Sequence, residues 1–357
     1  MFRTLREKRA PYFAKKLPPR TKPTQIDWQS GGSPAVISFS DGTQSLGSCI
    51  RCYDSPCIDY SPDELALTVF KDFPVDRNSN VCPTSAISWA QNNEFPAIDK
   101  KACIMCGLCV SRCPVGAIYL NNNGAHVNDK PNEHFVIQPE PSNSTDTKKI
   151  AELFKTINKK GIYLAESDIL LEKFRRKIEI VNQTQSQQFP NHLARNLLIA
   201  TGIGAAMRRR GDVYLRMDLL LGPPGVKLGT GEVELGAEIL AAPRNILDDI
   251  AVLVARYELT KEDIVPLIVS LDLPNLRSEY WQFIKDVREV LNLKINSITI
   301  GALAILIWNR AKLKITTSEE LYIDIDTPSL RPKIESILKR PLNVSGAGYP
   351  GFLESGK

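Results

Sequence analysis

The cysteines carry the most specific chemistry in this sequence. All eight lie between residues 49 and 113 of the 357-residue chain, and none follows Cys113. Thiolates are soft metal ligands, whereas structural disulfides are rare inside cells. A chain that concentrates its thiols in one short stretch therefore predicts a metal site rather than a disulfide framework.

The cysteines form two near-repeats. The second repeat reads Cys103-x2-Cys106-x2-Cys109-x3-Cys113-Pro114. The first repeat reads Cys49-x2-Cys52-x4-Cys57, then an insertion from Ile58 to Val81, then Cys82-Pro83. Both repeats end in Cys-Pro-x-x-Ala-Ile. Three closely spaced thiolates can hold three corners of one iron–sulfur cube, while the thiolate before proline serves a second cube.

This spacing resembles that of the bacterial two-cluster ferredoxins. The resemblance implies an α+β ferredoxin-like domain with two [4Fe–4S] clusters whose ligands are exchanged between the repeats. One cluster would take Cys49, Cys52, Cys57 and Cys113, and the other would take Cys82, Cys103, Cys106 and Cys109. The longer Cys52–Cys57 spacing and the insertion depart from the family pattern, and they leave a three-iron form of the first cluster open.

Other uses of the cysteines are possible in principle. Two four-cysteine zinc sites are the main alternative, but zinc favours paired Cys-x2-Cys knuckles over a run of four cysteines that ends in Cys-Pro. Outside the cysteine region, no glycine-rich dinucleotide fingerprint stands at a strand–helix junction. If the clusters carry electrons, we therefore expect a protein redox partner or other subunits of a complex.

A second group of reactive side chains lies in the C-terminal part. Asp218 is on one predicted strand, and Glu232, Glu234 and Glu238 are on the next, after a turn through Gly222-Pro-Pro-Gly225. Alternate residues of a strand share a face, so we expect these carboxylates to converge. Oxygen ligands collected in this way suit Mg²⁺.

The order helix, Asp strand, Glu-x-Glu strand, helix, strand resembles the PD-(D/E)xK fold of restriction endonucleases and related DNA-processing enzymes. The resemblance covers about residues 190–310 and implies an α/β domain with a mixed sheet flanked by helices. It implies Asp218 and Glu232 as Mg²⁺ ligands, and Glu234, in place of the usual lysine, as the group that orients or deprotonates the attacking water. Arg208, Arg209 and Arg210 would contact the phosphates of DNA.

Less specific interpretations of these residues remain open. The glutamates can belong to the solvent face of a hairpin, with Arg216 paired to Glu232 across the strands. The arginine run can be the end of a helix, where cations offset the helix dipole. The domain would then be a non-catalytic DNA-binding or assembly module, or another α/β fold.

Hydrophobic periodicity predicts the elements that position these residues. Predicted helices cover Ile150 to Ile157, His192 to Met207, Ile246 to Tyr257 and Glu279 to Leu291. Predicted strands cover Val213 to Leu221, Glu232 to Leu240, Val265 to Leu271 and Ile298 to Trp308.

Composition divides the chain into four segments. We expect a basic arm at 1–35, the cluster domain at 36–135, a Pro/Ser-rich linker at 136–148 and the α/β domain at 149–357. The first 25 residues hold eight Lys or Arg against one Glu, which would suit phosphates or an acidic partner. No secretory signal or membrane-length apolar stretch is seen, so we expect a cytoplasmic protein.

Overall fold

The computed structural model describes residues 21–28, 49, 55–65, 75–89, 95–113, 117–121, 124–127, 135–141, 166–185, 187–211, 216–222, 228–313, 320–326, 328–346 and 351–356. The predicted helix at Ile150 to Ile157 and the turn after Gly222 lie outside these residues. The chain divides into two compact units, residues 1–62 with 77–165, and residues 63–76 with 166–357. The finer boundaries at 35, 135 and 148 stay predictions.

The first unit is built from short strands and helical turns. Its elements are β1 (Thr21–Trp28), the first residue of α1 (Pro62–Leu65), β2 (Ile87–Trp89), β3 (Pro96–Ile98), α2 (Leu108–Arg112), β4 (Ile118–Asn121), β5 (Gly124–Val127) and β6 (Phe135–Pro141). The strands form three antiparallel pairs, β1 with β6, β2 with β3, and β4 with β5. This is the mixed α and β content expected of the cysteine region.

Strands β1 and β6 arise in segments where composition predicted irregular structure. Their register runs from Trp28 opposite Phe135 to Thr21 opposite Pro141, with an irregularity near Pro23. A strand ladder is made by backbone N–H and C=O groups, so a polar, proline-containing sequence does not prevent pairing at its remaining positions. The predicted linker therefore begins inside a strand.

The second unit contains α3 (Asp168–Thr184), α4 (Phe189–Ala200), β7 (Gly204–Met207), β8 (Leu219–Gly222), β9 (Leu228–Glu234), α5 (Ala242–Tyr257), β10 (Ile264–Ser270), α6 (Glu279–Leu291), β11 (Asn296–Thr299), α7 (Ile300–Trp308) and α8 (Arg331–Leu338). Short 3-10 helices cover Ala237–Leu240 and Lys261–Asp263.

Strands β7 to β11 form one mixed sheet in chain order. Strand β8 is antiparallel to both β7 and β9, whereas β9, β10 and β11 are parallel. Helix α4 packs against β7 and β9, and helix α5 packs against β9 and β10. The predicted mixed sheet with helices is confirmed.

One segment of the cysteine-region insertion belongs to this second unit. Residues 63–76 group with it, and Val75 forms a β-bridge with Arg208 beside the end of β7. The Asp76 amide donates to the Met207 carbonyl at 2.9 Å. Val75 and Asp76 of the insertion thus pair with the end of the edge strand β7.

The prediction of a strand from Ile298 to Trp308 is wrong for most of its length. Strand β11 ends at Thr299, whose hydroxyl accepts from the Ala302 amide at 3.1 Å and caps α7. Every residue of α7 is buried. A helix that is buried on all sides has no polar face, so its apolar run lacks the period that distinguishes a helix from a strand.

Three other predicted elements differ from the structure at their ends. The predicted helix from His192 to Met207 is divided, since α4 ends at Ala200 and β7 follows. Strand β8 begins only at Leu219, after Asp218. Strand β9 ends at Glu234, so the expectation that Glu238 shares its strand face is wrong, and Glu238 lies exposed in a 3-10 helix.

The predicted helix over Glu279 to Leu291 is confirmed, and the predicted helix from Ile246 forms the later part of α5. The predicted strand at Val265 corresponds to β10, which is buried at every position. Among the described residues, no helix is long and apolar enough to cross a bilayer.

We predict that Gly301→Ala destabilises the second unit by about 1–3 kcal/mol, because the added methyl would overlap the buried ring of Phe352. Chemical denaturation measures the effect. Val290→Ala is the control, since Val290 is 80% exposed on α6 and should change stability little. Equal stability of Gly301→Ala and the unmodified protein would contradict this packing.

Candidate functional site

Four cysteines from both repeats line one cavity in the first unit. Cys82, Cys103, Cys106 and Cys109 share it with apolar residues that include Ile98, Ile104 and Leu108. Met105 and Gly107 take left-handed backbone conformations, with φ of 67° and 79°, and so turn the chain sharply around Cys106. Helix α2 then begins at Leu108 and carries Cys109. The structure thus brings together the four cysteines predicted for the second cluster.

Two of the four thiols, Cys106 and Cys109, have raised pKa values. Burial, and then the neighbouring Cys82 and Cys103, raise the pKa of Cys106 well above its ordinary value. The pKa of Cys109 is raised by burial and by Cys106, Cys103, Cys82 and Cys57, in that order. Buried thiolates so close together repel each other, and a positively charged metal centre removes that repulsion.

The two Cys-Pro cysteines have matching hydrogen bonds. The amide of Ala86 donates to Cys82 Sγ at 3.1 Å, and the amide of Ala117 donates to Cys113 Sγ at 3.1 Å. In each repeat, the donor is the alanine four residues after the cysteine. Amide donors of this kind stabilise sulfur in its charged, metal-binding form.

The cysteines predicted for the first cluster are described only in part. Cys49, Cys57 and Cys113 are partly exposed, and Cys52 lies outside the described residues. The effect of Cys57 on the pKa of Cys109 places the two cysteine sets near each other. Within the described ranges, no group of three or more Cys, His, Asp or Glu side chains stands in metal-holding geometry. The donor set nevertheless fits an iron–sulfur group, since its thiols line an apolar cavity with amide donors to sulfur.

In the second unit, the strand register brings the predicted carboxylates together. Leu219 pairs with Gly231, so Asp218, one residue before β8, faces Glu232 on β9. Asp218 accepts from the Val233 amide at 3.1 Å and from Asn191 Nδ2 at 2.8 Å. Helix α4 supplies Asn191 and thereby orients Asp218 from the side of the sheet on which it packs.

The glutamates of β9 are oriented by different partners. Glu232 accepts from Asn245 Nδ2 of α5 at 2.9 Å, and Glu234 accepts from the Gly236 amide at 2.6 Å. Burial raises the pKa of Glu234, with Glu238 and Asp218 adding to the shift. Asp218 also has a raised pKa, chiefly because it is buried.

Two acids of this cluster have pKa values near neutrality. Burial, then Asp218 and Glu234, raise the pKa of Glu232 to about 7. On α5, Asp249 is buried, accepts from Thr230 Oγ1 at 3.2 Å, and has its pKa raised to about 8 by burial and by Glu232. The cluster thus gathers like charges, which suits cation binding when the acids are ionised.

The arginine run follows β7 and not a helix, so its interpretation as a helix end is wrong. The Arg208 amide donates to the Asp218 carbonyl at 3.3 Å. The positive charge of the Arg208 side chain offsets part of the rise in the pKa of Asp218 and of Glu232. Arg209 and Arg210 are exposed. Arg216 forms an exposed ion pair with Asp248 at 3.8 Å. The alternative interpretation had paired Arg216 with Glu232.

Sequence reasoning missed three groups at this site, namely Asn191, Asn245 and Asp249. Asn245 and Asp249 are four residues apart and so share one face of α5, directly after the glutamate strand. That spacing was a usable signal. Asn191 gave none, because a single Asn near the start of a helix is most often a solvated residue.

Comparison with known proteins bears on the cysteine region. A family model for a 4Fe-4S binding domain matches residues 96–119, which contain Cys103, Cys106, Cys109 and Cys113. The chain therefore contains a ferredoxin-like iron–sulfur domain in its first unit. This match does not reach the C-terminal unit.

Several ferredoxin-like proteins are similar to part of the chain. An uncharacterized ferredoxin of Methanocaldococcus jannaschii is 31% identical over 78 residues, which are 22% of this chain and 36% of that protein. An uncharacterized ferredoxin-like protein of Escherichia coli is 34% identical over 74 residues, 21% of this chain and 23% of that protein. A polyferredoxin-like subunit of a Pyrococcus furiosus aliphatic sulfonate oxidoreductase is 26% identical over 89 residues, 25% of this chain and 39% of that protein.

The chain thus spans less than two fifths of the length of each of these relatives. No solved structure matches it.

We predict that the stability of the second unit falls as pH rises from about 5 to about 8. The folded unit holds protons on Glu232 and Asp249, with pKa values of about 7 and about 8, that the unfolded chain releases at lower pH. Over this pH range, each of the two acids lowers the free energy of unfolding by on the order of 1 kcal/mol or more. Denaturant midpoints measured across this pH range test the slope.

The variants Glu232→Gln and Asp249→Asn should flatten this pH dependence and stabilise the unit at pH of about 8. Asp286→Asn, on the exposed face of α6, is the control and should retain the full slope. A slope that survives both changes would show that other groups titrate.

Proposed function

We propose that this chain is an electron carrier that holds two [4Fe–4S] clusters. Cys82, Cys103, Cys106 and Cys109 hold one cluster, and Cys49, Cys52, Cys57 and Cys113 hold the other. When bound, such a cluster takes up and releases one electron. The observation that carries the proposal is the cavity that Cys82 shares with three cysteines of the region that matches a 4Fe-4S binding domain, Cys103, Cys106 and Cys109.

The contacts of the cysteine region support this role. Apolar residues exclude water from the cavity, so charge placed there is felt strongly by the amide and hydroxyl donors around it. The amides of Ala86 and Ala117 point at the sulfurs of Cys82 and Cys113. Cys57, of one set, is among the groups that raise the pKa of Cys109, of the other set, which supports a short path between the two clusters.

A protein partner is part of the proposal. One relative is described as a polyferredoxin-like subunit of an oxidoreductase, which is a component that works with other subunits. This chain shows no dinucleotide fingerprint in its sequence. We infer that a redox protein exchanges electrons with its clusters, in the cytoplasm.

Anaerobically purified protein should contain about eight iron and about eight sulfide per chain. Cys106→Ala should lose about half of the iron and half of the sulfide, because a cluster with only three cysteine ligands is bound less tightly. Iron and sulfide analysis, with electron paramagnetic resonance of the reduced protein, measures this.

Ser88→Ala, an exposed position of β2 in the same unit, is the matched control and should retain all of the iron. Zinc in place of iron, or full iron content in Cys106→Ala, would refute the ligand assignment.

A second function is favoured by the carboxylates. We propose that Asp218 and Glu232 bind Mg²⁺ and that Glu234 orients the attacking water in a phosphodiester hydrolase of the restriction-endonuclease-like class. The facing positions of Asp218 and Glu232, and the element order around them, support this role. Exposed Arg209 and Arg210 would contact DNA phosphates.

If this second role holds, Asp218→Ala and Glu232→Ala each reduce Mg²⁺-dependent DNA cleavage by about a hundredfold or more, because they remove metal ligands. Glu238→Ala is the matched control, since this nearby acid is exposed and outside β9. Cleavage is measured on supercoiled and linear DNA with anaerobic protein. Cleavage that persists in the two site variants, or no cleavage by the unmodified protein, would remove the nuclease role.

A further inference from the structure

The two Cys-Pro-x-x-Ala-Ile repeats differ at the second and third residues after the cysteine, and of the two residues in the first repeat Thr84 is buried and Ser85 is exposed. The first repeat reads Cys82-Pro83-Thr84-Ser85-Ala86, and the second reads Cys113-Pro114-Val115-Gly116-Ala117. Both cysteine sulfurs accept an alanine amide at the same distance of 3.1 Å. The backbone donor is therefore common to both repeats, and the hydroxyl of Thr84 is a difference between them.

Thr84 is placed to use that hydroxyl. Its Oγ1 lies 3.4 Å from Cys82 Sγ, and Thr84 is only 7% exposed, so bulk water competes little for its hydroxyl. A thiolate that ligates a metal has no proton and can only accept, so the hydroxyl is the donor when a cluster is bound. Valine has nearly the same shape as threonine but no proton to donate.

We propose that Thr84 raises the reduction potential of the cluster held by Cys82, Cys103, Cys106 and Cys109 above that of the cluster held by Cys113. This inference rests on the proposed two-cluster function. Reduction adds one negative charge, part of which resides on the thiolate sulfurs, so a donor to sulfur stabilises the reduced form more than the oxidised form.

The consequence is a direction for electron flow. A reduced protein partner that reduces the cluster held by Cys113 starts this transfer. The electron then passes to the cluster held by Cys82, so that the former cluster is oxidised as the latter is reduced. No bond breaks and no proton is transferred. The Thr84 hydroxyl thus makes the cluster held by Cys82 the one that is preferentially reduced.

The test compares full-length anaerobic protein with Thr84→Val, which keeps the side-chain shape and removes the donor. Voltammetry, or a redox titration followed by electron paramagnetic resonance, should find two couples in the unmodified protein. In Thr84→Val the higher potential falls, by up to about tenfold in the reduction equilibrium, or about 59 mV for one electron. The lower potential stays where it was.

Three further variants make the result specific. Thr84→Ser keeps the hydroxyl and should retain the unmodified potentials. Val115→Thr, which gives the second repeat the Cys-Pro-Thr sequence of the first, should raise the lower potential. If Thr84→Val does not assemble its clusters, Thr84→Ala removes the same donor without the bulk and should show the same fall. Unchanged potentials in a Thr84 variant that lacks the hydroxyl and retains both clusters overturn the inference.

Iron and sulfide content separates this failure from a failure of the proposed function. Unmodified protein without two [4Fe–4S] clusters refutes the electron-carrier proposal, and the inference falls with it. Two intact clusters whose potentials ignore the Thr84 hydroxyl refute the inference alone.

Discussion

The cost of holding several thiolates close together in a buried cavity is the constraint on which the first unit depends. Cys106 and Cys109 have raised pKa values because they are buried beside other cysteines, and a metal ligand must nevertheless be deprotonated. A positively charged centre turns this repulsion into attraction, and its binding energy then contributes to folding. The strands around it are short, with three or four residues each in β2 to β5, and bury little by themselves. The short elements of the unit thus position the cysteines around the group that they bind.

The second unit meets the same constraint with oxygen in place of sulfur. Asp218, Glu232 and Asp249 are gathered near the point where β8 and β9 face each other. Burial raises the pKa of all three, and the neighbouring acids add to the shift for Glu232 and Asp249. Asn191 and Asn245 offset part of this cost by donating to Asp218 and Glu232 from two different helices. Buried like charges that are supported in this way are more common at functional sites than in ordinary surfaces. Both units therefore concentrate charge that an added cation would neutralise.

Elements with a clear polar face were predictable from the sequence, and elements without one were not. Helix α6 has one buried apolar face and one exposed polar face, and its predicted range agrees with the structure. Helix α7 is buried on every side and was predicted as a strand, because nothing in an all-apolar run indicates its period. The end of β9 was also missed, since Glu238 continues the alternation of Glu232 and Glu234 although the chain has already left the sheet. Local pattern does not reveal where a sheet partner ends.

The sequence by itself determined which atoms are available as ligands. Cysteine type and spacing predicted an iron–sulfur domain, because three thiols within seven residues can reach one cluster whatever surrounds them. Only the tertiary structure decided which distant groups join the acids, such as Asn191 beside Asp218 and Asp249 beside Glu232. Those contacts depend on strand register and helix packing, which arise from burial summed over many residues and so are written in no single motif.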